Sequence, residues 1–325
     1  MFRPILEQMI FLFAFILIGF ILRKGKFVPD NAATVLSKLE NTLFVPALVM
    51  GTFIQKCTVN NLKSNWQLLL LGFLLGVILV VISFGVAKLC FKEKFLQNIT
   101  TYSVAFSNFG FMGNAIMQSV FGEEMFFCYI MFTLPFWVMI YLWGAPVLLI
   151  GNDGQNKGFF SRFKAFLNPM FVSLLIGAVI GVSGLGAHIP KVISNPVSGK
   201  GILDVAGACM SPLAMLLTGI TIGQINLIAL IKKWRLYVVS FIKLLIYPLA
   251  FILVFMFVPQ RGVIDATFLT CAMNVMCMPT GLNAIVIPAA YGKDTSDAAG
   301  MTLITHALSL ATIPLMFMLF QNLVL

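Results

Sequence analysis

Long apolar stretches separated by short polar connections form the dominant pattern along the chain. Several stretches exceed the ~18 residues at which a membrane-spanning helix is the default interpretation. No connection is long enough to fold as a separate domain. We therefore predict an all-α integral membrane protein with ten transmembrane helices, at residues 5–22, 34–54, 67–90, 99–121, 125–150, 169–187, 204–227, 235–257, 266–290 and 298–320.

Composition supports this interpretation and excludes other classes of protein. Of the 325 residues, 60% are hydrophobic and 10% are charged, whereas a soluble domain is about half apolar and about a quarter charged. A soluble enzyme, a nucleic-acid binder and a disordered chain are excluded. The six cysteines are scattered through or beside apolar runs with no CxxC pair, so we expect neither a disulfide framework nor a metal site, and no cofactor.

The distribution of basic residues predicts the orientation in the membrane. Connections after the odd-numbered spans carry fourteen Lys and Arg residues, and the opposite side carries six. Under the positive-inside rule both termini are extracytoplasmic in the cell membrane. The first apolar run is followed by Arg23, Lys24 and Lys26, which predicts a retained helix instead of a cleaved signal peptide. The formal charge of +10 then requires no nucleic acid as partner.

Several short features recur at nearly one spacing in the two halves of the chain. We predict a first five-helix repeat at 1–150, a short cytoplasmic connection at 151–168 and a second repeat at 169–325. Because five is odd, the repeats are inverted, an arrangement typical of secondary transporters. The recurring features, 166 to 169 residues apart, are Pro46 and Pro212, Asn108 and Asn274, Pro146 and Pro314, and Asn114-Ala115-Ile116 and Asn283-Ala284-Ile285.

Spans 4 and 9 carry polar and helix-breaking residues at their centres. Pro removes a backbone donor and Gly is a poor helix former, and such breaks in hydrocarbon are tolerated only inside protein or beside water. We predict that both helices break near the bilayer midplane and meet there. Half-helices would then present N-terminal N–H groups with partial positive charge.

The side chains at these predicted breaks form a neutral set rich in hydrogen-bond donors, which suits a carboxylate or another small organic anion. The alternative is that they only join neighbouring helices, as Asn and small residues commonly do in membranes. Repetition of the cluster in both halves favours a substrate site. The candidate residues are Ser107, Asn108, Asn114, Asn274, Thr280 and Asn283.

The combination of short motifs resembles the auxin efflux carrier family, including its bacterial members that handle dicarboxylates such as malate and malonate. The similarity runs through the whole chain. The motifs that carry it are Ile18-Gly19-Phe20-Ile21-Leu22-Arg23, Leu43-Phe44-Val45-Pro46-Ala47-Leu48, Ser107-Asn108-Phe109-Gly110-Phe111-Met112-Gly113, Ser211-Pro212-Leu213-Ala214-Met215 with Gly219, and Pro279 with Tyr291-Gly292-Lys293-Asp294.

The resemblance implies helices 4 and 9 broken and crossing at the substrate site, a scaffold of helices 1, 2, 6 and 7, and a transport domain of helices 3–5 and 8–10. It also implies a homodimer and elevator-type movement. Asn114-Ala115 stands where family members often have proline, so we expect the helix-4 break to rest on glycines. The implied crossover positions are Gly110, Gly113, Asn114, Pro279, Thr280 and Gly281.

Charged residues inside the spans bear on how transport is driven. No Asp or Glu falls at the middle of a span, and Glu40 lies near the start of span 2, which favours an anion carrier driven by a substrate gradient or the membrane potential. His306 in span 10 and Lys243 in span 8 are candidates for a proton or anion relay. Their alternatives are a hydrogen-bonded packing histidine near the boundary and a lysine that snorkels to the interface.

The predicted function is a secondary transporter that moves a small organic anion (a carboxylate, a dicarboxylate or an auxin-like compound). The alternative within transport is a sodium-coupled organic-anion symporter of the bile-acid-carrier type, in which unwound carbonyls hold sodium. A membrane enzyme or receptor is the other rival. Only two histidines exist, with no HExxH or GxSxG motif and no attached signalling module, so we expect no enzyme.

Overall fold

The computed structural model describes residues 2–151, 167–195, 197–224, 233–260, 262, 264–289 and 291–325. Every element of regular secondary structure assigned in these ranges is a helix. Most of the predicted connection 151–168, the end of predicted span 7 and Lys232 lie outside the described residues. Within them, six helices are long and apolar enough to cross a membrane, or seven if one bent pair counts as a span. The fold is that of an all-helical integral membrane protein.

We number the helices by the predicted spans they match, and give half-helices the letters a and b. The bounds are α1 Phe2–Lys24, α2 Ala32–Lys56, α3 Gln67–Cys90, α4a Lys94–Ala105, α4b 109–121, α5 123–150, α6 Pro169–Val182, α7 Ile202–Gly223, α8 Trp234–Met256, α9a Ala266–Cys277, α9b Asn283–Ala289 and α10 Ser296–Leu323.

One helical stretch runs from Phe109 to Ile150 over 42 residues, too long for a single crossing at ~1.5 Å per residue. Gly122 divides it, because its φ of 83° and ψ of 176° are not helical. A side chain there would be strained, so glycine suits the position. The division lies at the predicted boundary between spans 4 and 5.

The helices pack in two sets of neighbours. In one set α1 lies against α7, and α2 lies against both α6 and α7. In the other set α3 packs on α4a and on the stretch from Asn114 to Met139, while α8 packs on α9a and α10. The sets meet chiefly where α1 contacts α10 and where α7 contacts the first turn of α4b.

Contacts between connecting segments fall into two groups, which we assign to the two ends of the molecule. At one end the Gln224 amide donates to the Asp30 carbonyl, Lys233 pairs with Asp297, and the Lys293 ammonium donates to the Ile150 carbonyl. At the other end Lys56 pairs with Glu124, and the Gln55 amide donates to the Ser194 hydroxyl. The first group joins connections that follow odd-numbered spans, and the second joins those that follow even-numbered spans.

Glycine permits the close approach of α1 and α7. A Cβ atom added to Gly219 would lie 2.0 Å from the Ile16 carbonyl oxygen, and one added to Gly19 would lie 2.2 Å from the Leu216 carbonyl oxygen. Both obstacles are backbone atoms, which cannot rotate away. Small residues at such positions bring helix backbones together and permit extensive van der Waals contact.

We therefore predict that Gly219→Ala destabilises the protein by about 1–3 kcal/mol through overpacking. The measurement is the thermal unfolding midpoint of purified protein in detergent. Gly85→Ala in α3 is the matched control, because a Cβ there has no atom within 4 Å. Equal melting temperatures for the two variants would contradict the packing described.

Candidate functional site: the crossing of two broken helices

Two non-helical segments, 106–108 in α4 and 278–282 in α9, pass each other inside the protein. Ser107 and Thr280 form an isolated antiparallel bridge, and the Asn108 N–H donates to the Pro279 carbonyl across 2.7 Å. We call these two segments the crossing. Spans 4 and 9 are each interrupted as predicted, and the interrupted backbones are buried against each other, as the lack of water in a bilayer requires.

The two halves contact each other reciprocally at the crossing. Asn108 donates its backbone N–H to Pro279, and the Asn274 side-chain amide donates to the Gly113 carbonyl at 3.1 Å. A shift of 166 residues converts Asn108 into Asn274 and Gly113 into Pro279. The second contact is therefore the first with the halves exchanged, made by a side chain instead of the backbone.

The carbonyl end of α9a is satisfied by two donors from other helices. The Val275 carbonyl accepts from the Ser107 hydroxyl at 3.0 Å, and the Met276 carbonyl accepts from the Lys243 ammonium at 3.3 Å. Lys243 is fully buried and does not snorkel, so that alternative is wrong. Its nitrogen lies against the end of a half-helix that carries partial negative charge.

Thr280 ties the crossing to α10. Its hydroxyl lies 3.1 Å from the Thr302 hydroxyl and 3.0 Å from the Thr305 hydroxyl, and its backbone N–H donates to the Thr305 hydroxyl at 3.2 Å. All three threonines are buried. Because these groups have no water to bond with, the network holds the unwound segment of α9 in one place.

His306 lies at the crossing and is not near the membrane boundary as one alternative expected. Its Nδ1 is 2.8 Å from the Thr302 carbonyl, which only accepts, so Nδ1 carries the proton. In the neutral ring Nε2 is then an acceptor, and the Asn108 side-chain amide lies 3.2 Å from it. The imidazole thereby orients the Asn108 side chain.

The helix-4 break does not rest on the glycines, which corrects the expectation from sequence. Phe106 (φ −108°, ψ 77°) and Asn108 (φ −75°, ψ 43°) leave the helix, whereas Gly110 and Gly113 lie in the helical turn that follows. Their lack of a side chain makes room instead. A Cβ on Gly110 would lie 2.5 Å from the Trp137 ring, and one on Gly113 would lie 2.3 Å from the Tyr129 hydroxyl.

The repeated Asn-Ala-Ile motifs occupy equivalent places. Asn114 begins the α-helical part of α4b, and Asn283 begins α9b. The Asn283 side chain is near the Tyr102 hydroxyl. Among the described residues, buried oxygens without a hydrogen-bond partner remain on Tyr102, Ser103 and Asn274. Such atoms normally bond to water or a ligand, so polar capacity remains beside the crossing.

A cavity of about 110 Å³ opens beside α4b, between α2 and α6 on one side and α5 on the other. The Trp137 and Tyr141 rings in its wall stack with centroids 6.0 Å apart. Sequence reasoning missed these two residues and also Asn41, Thr42 and Asn168. The polar pair Asn41-Thr42 within an apolar span was the available signal. The lining residues are Asn41, Thr42, Val45, Gly110, Phe111, Trp137, Tyr141, Asn168, Pro169 and Met170.

The threonine network gives a direct prediction for stability. Thr280→Val keeps the volume but removes the hydroxyl, which leaves the Thr302 hydroxyl without this partner and should cost about 1–3 kcal/mol. Thr280→Ser, which retains the hydroxyl, should recover most of this loss. Thermal unfolding in detergent measures both variants, and a valine variant as stable as the serine variant would contradict the network.

Comparison with known proteins assigns the family. No curated protein matches the chain. A family model described as membrane transport protein matches residues 4–317. The match includes both broken helices and all of the helices that form the crossing. The chain therefore belongs to the auxin efflux carrier family of membrane transport proteins.

Proposed function

We propose that this protein is a secondary transporter that moves a small organic anion across the cell membrane by elevator-type alternating access. The observation that carries the proposal is the crossing of two broken helices beside a cavity, in a member of a transporter family. Broken helices that meet inside the bilayer are the usual place for a transporter's substrate and coupling ions. We propose transport and not catalysis on the same grounds.

The chemistry of the site favours an anion. Gly110 and Phe111, in the first turn of α4b, line the cavity, so a ligand there faces a helix N-terminus with its partial positive charge. The Asn108 and Asn274 amides and the Thr280 hydroxyl at the adjacent crossing, bonded here to other protein groups, add polarity without a formal negative charge. A carboxylate fits such a set better than a cation does.

We further propose ten spans in two inverted repeats, 1–150 and 169–325, with both termini extracytoplasmic. The separation of the connections into two ends supports this topology, as do the reciprocal contacts at the crossing. A further contact, 3.1 Å between the Ser83 and Tyr247 hydroxyls, joins residues 164 apart in α3 and α8.

The two sets of packed helices support the proposed division of labour. One set contains α1, α2, α6 and α7, which is the proposed scaffold, and the other contains α3–α5 and α8–α10, the proposed transport domain. The cavity lies between them, with α2 and α6 facing α4b and α5. A substrate held there would cross the membrane as the second set slides past the first. We also propose that two copies of the protein form a homodimer in the lipid bilayer.

Sodium coupling is the alternative, and Lys243 argues against it. In sodium-coupled carriers of this architecture, carbonyls of unwound helices hold the ion. Here the Met276 carbonyl at the end of α9a already accepts from the Lys243 ammonium. This donor is tethered to the protein and occupies the carbonyl that an ion would need, so we propose transport that does not require sodium.

We predict that Asn108→Ala and Asn283→Ala each abolish uptake of the true substrate while expression stays intact. The crossing itself should survive in Asn108→Ala, because the backbone N–H and not the side chain bonds to Pro279. Uptake into proteoliposomes is the measurement, with Asn322→Ala at the exposed end of α10 as control. Normal uptake by both site variants would show that the substrate site is wrongly assigned.

A thermal-shift screen tests substrate class and sodium together. Purified protein is heated with monocarboxylates or dicarboxylates, in sodium chloride or in N-methyl-glucamine chloride. A carboxylate at ~100 times its dissociation constant should stabilise by about 2.7 kcal/mol, equally in both salts. Stabilisation that appears only with sodium would favour the symporter, and no shift with any carboxylate would contradict the anion.

A further inference from the structure

Glu40 in α2 is a carboxylic acid completely enclosed by protein. The residue is 0% exposed, and neither carboxyl oxygen has a hydrogen-bond partner among the described residues. Every other Asp or Glu in the described ranges is exposed or partly exposed. Buried carboxyl groups are normally paired, so the isolation of Glu40 requires an explanation.

Its position is within the membrane-spanning part of α2 and beside the proposed substrate cavity. Glu40 lies eight residues after the helix start at Ala32, about 12 Å along the helix axis. It opens the π-helical turn Glu40–Phe44, which packs against α6 and α7. The next two residues, Asn41 and Thr42, line the cavity. The same turn of helix therefore carries the buried carboxyl and part of the cavity wall.

No positive group from the packed elements neutralises this carboxyl among the described residues. In α6 there is no titratable side chain, and in α7 the titratable residues are Asp204 and Cys209. Asp204 accepts from the Gly201 and Asn195 backbone amides at the far end of α7. In α2 itself Lys38 is exposed, and Lys56 pairs with Glu124 at the far end of that helix.

Neutral donors of α7, which packs on this turn, do not satisfy the carboxyl either: two buried hydroxyls are engaged elsewhere, and that of Ser211 has no hydrogen-bond partner among the described residues. The buried hydroxyls of Thr218 and Thr221 in α7 donate to carbonyls of their own helix, at 2.9 Å and 2.8 Å. An ionised carboxylate in such surroundings would lose its hydration and gain nothing in exchange. A carboxyl that has bound a proton is neutral and fits an enclosed apolar place.

We propose that Glu40 is a proton-binding site of the transporter and that its proton is exchanged with water through the neighbouring cavity as the two helix sets move. The proton comes from water onto a carboxyl oxygen and returns to water from it, so no other reactant is needed. Resting on the proposed function, the inference adds that an organic anion moves together with a proton, which reduces the net charge carried across the membrane.

Infrared difference spectroscopy of the full-length protein in liposomes tests the proton site without any substrate. At neutral pH the wild type should show the carbonyl stretch of a protonated carboxylic acid, lost on titration to high pH. Glu40→Gln should lack this band, whereas Glu93→Gln, at an exposed acid, should retain it. Identical spectra for wild type and Glu40→Gln would overturn the proposal.

The same variant tests the charge state through stability. Because glutamine is a neutral near-isostere of the protonated acid, Glu40→Gln should melt at the wild-type temperature or above it. A large loss of thermal stability would overturn the proposal, since it would mean that an ionised carboxylate with a hidden partner is needed for folding.

Proton flux measures the coupling itself, with malonate as the probe. Liposomes containing the protein and a pH-sensitive dye receive a malonate gradient in sodium-free medium. Wild type should move protons with malonate, and Glu40→Gln should move malonate with this proton flux lost. Equal proton flux per malonate in both proteins, or malonate flux that requires sodium, would overturn the coupling.

Failure of the proposed function is distinguishable in this design. If the wild type moves no malonate, the substrate assignment fails for malonate, and the infrared and melting measurements still decide whether Glu40 holds a proton.

Discussion

Pairing of backbone polar groups inside the bilayer is the constraint on which the rest of this structure depends. A helix that unwinds in hydrocarbon exposes N–H and C=O groups that nothing in lipid can satisfy. Here each unwound segment supplies partners for the other, as when Asn108 donates to Pro279 and Ser107 donates to Val275. The two halves of the chain therefore cross where both helices are interrupted.

The existence of the two breaks could be predicted because it depends on local chemistry. Proline, glycine and asparagine weaken a helix wherever they occur, and their clustering in spans 4 and 9 is visible in the sequence alone. The predicted location of the helix-4 break was wrong because it depends on contacts with residues distant in sequence. Gly110 and Gly113 make room for Trp137 and Tyr129, which are 27 and 16 residues away, and such a neighbour cannot be identified from a lone glycine.

The surroundings of ionisable side chains likewise depend on partners that are distant in sequence. Snorkelling to the interface was the alternative for Lys243, because an isolated ammonium avoids hydrocarbon, but the structure places its nitrogen on the Met276 carbonyl 33 residues away. His306 likewise gains Asn108 from the other half of the chain. Glu40, by contrast, lies near the start of span 2 in the sequence, and its complete burial becomes visible only where its turn packs against α6 and α7.

These three residues together define the electrostatic problem that the transporter must solve. The proposed organic anion would have to cross a region without water. The Lys243 nitrogen donates to the end of α9a and is part of the chain. A proton on Glu40 would offset the anion only while it is bound. In a sodium symporter one diffusible ion does both tasks, whereas a tethered hydrogen-bond donor and a movable proton can separate them.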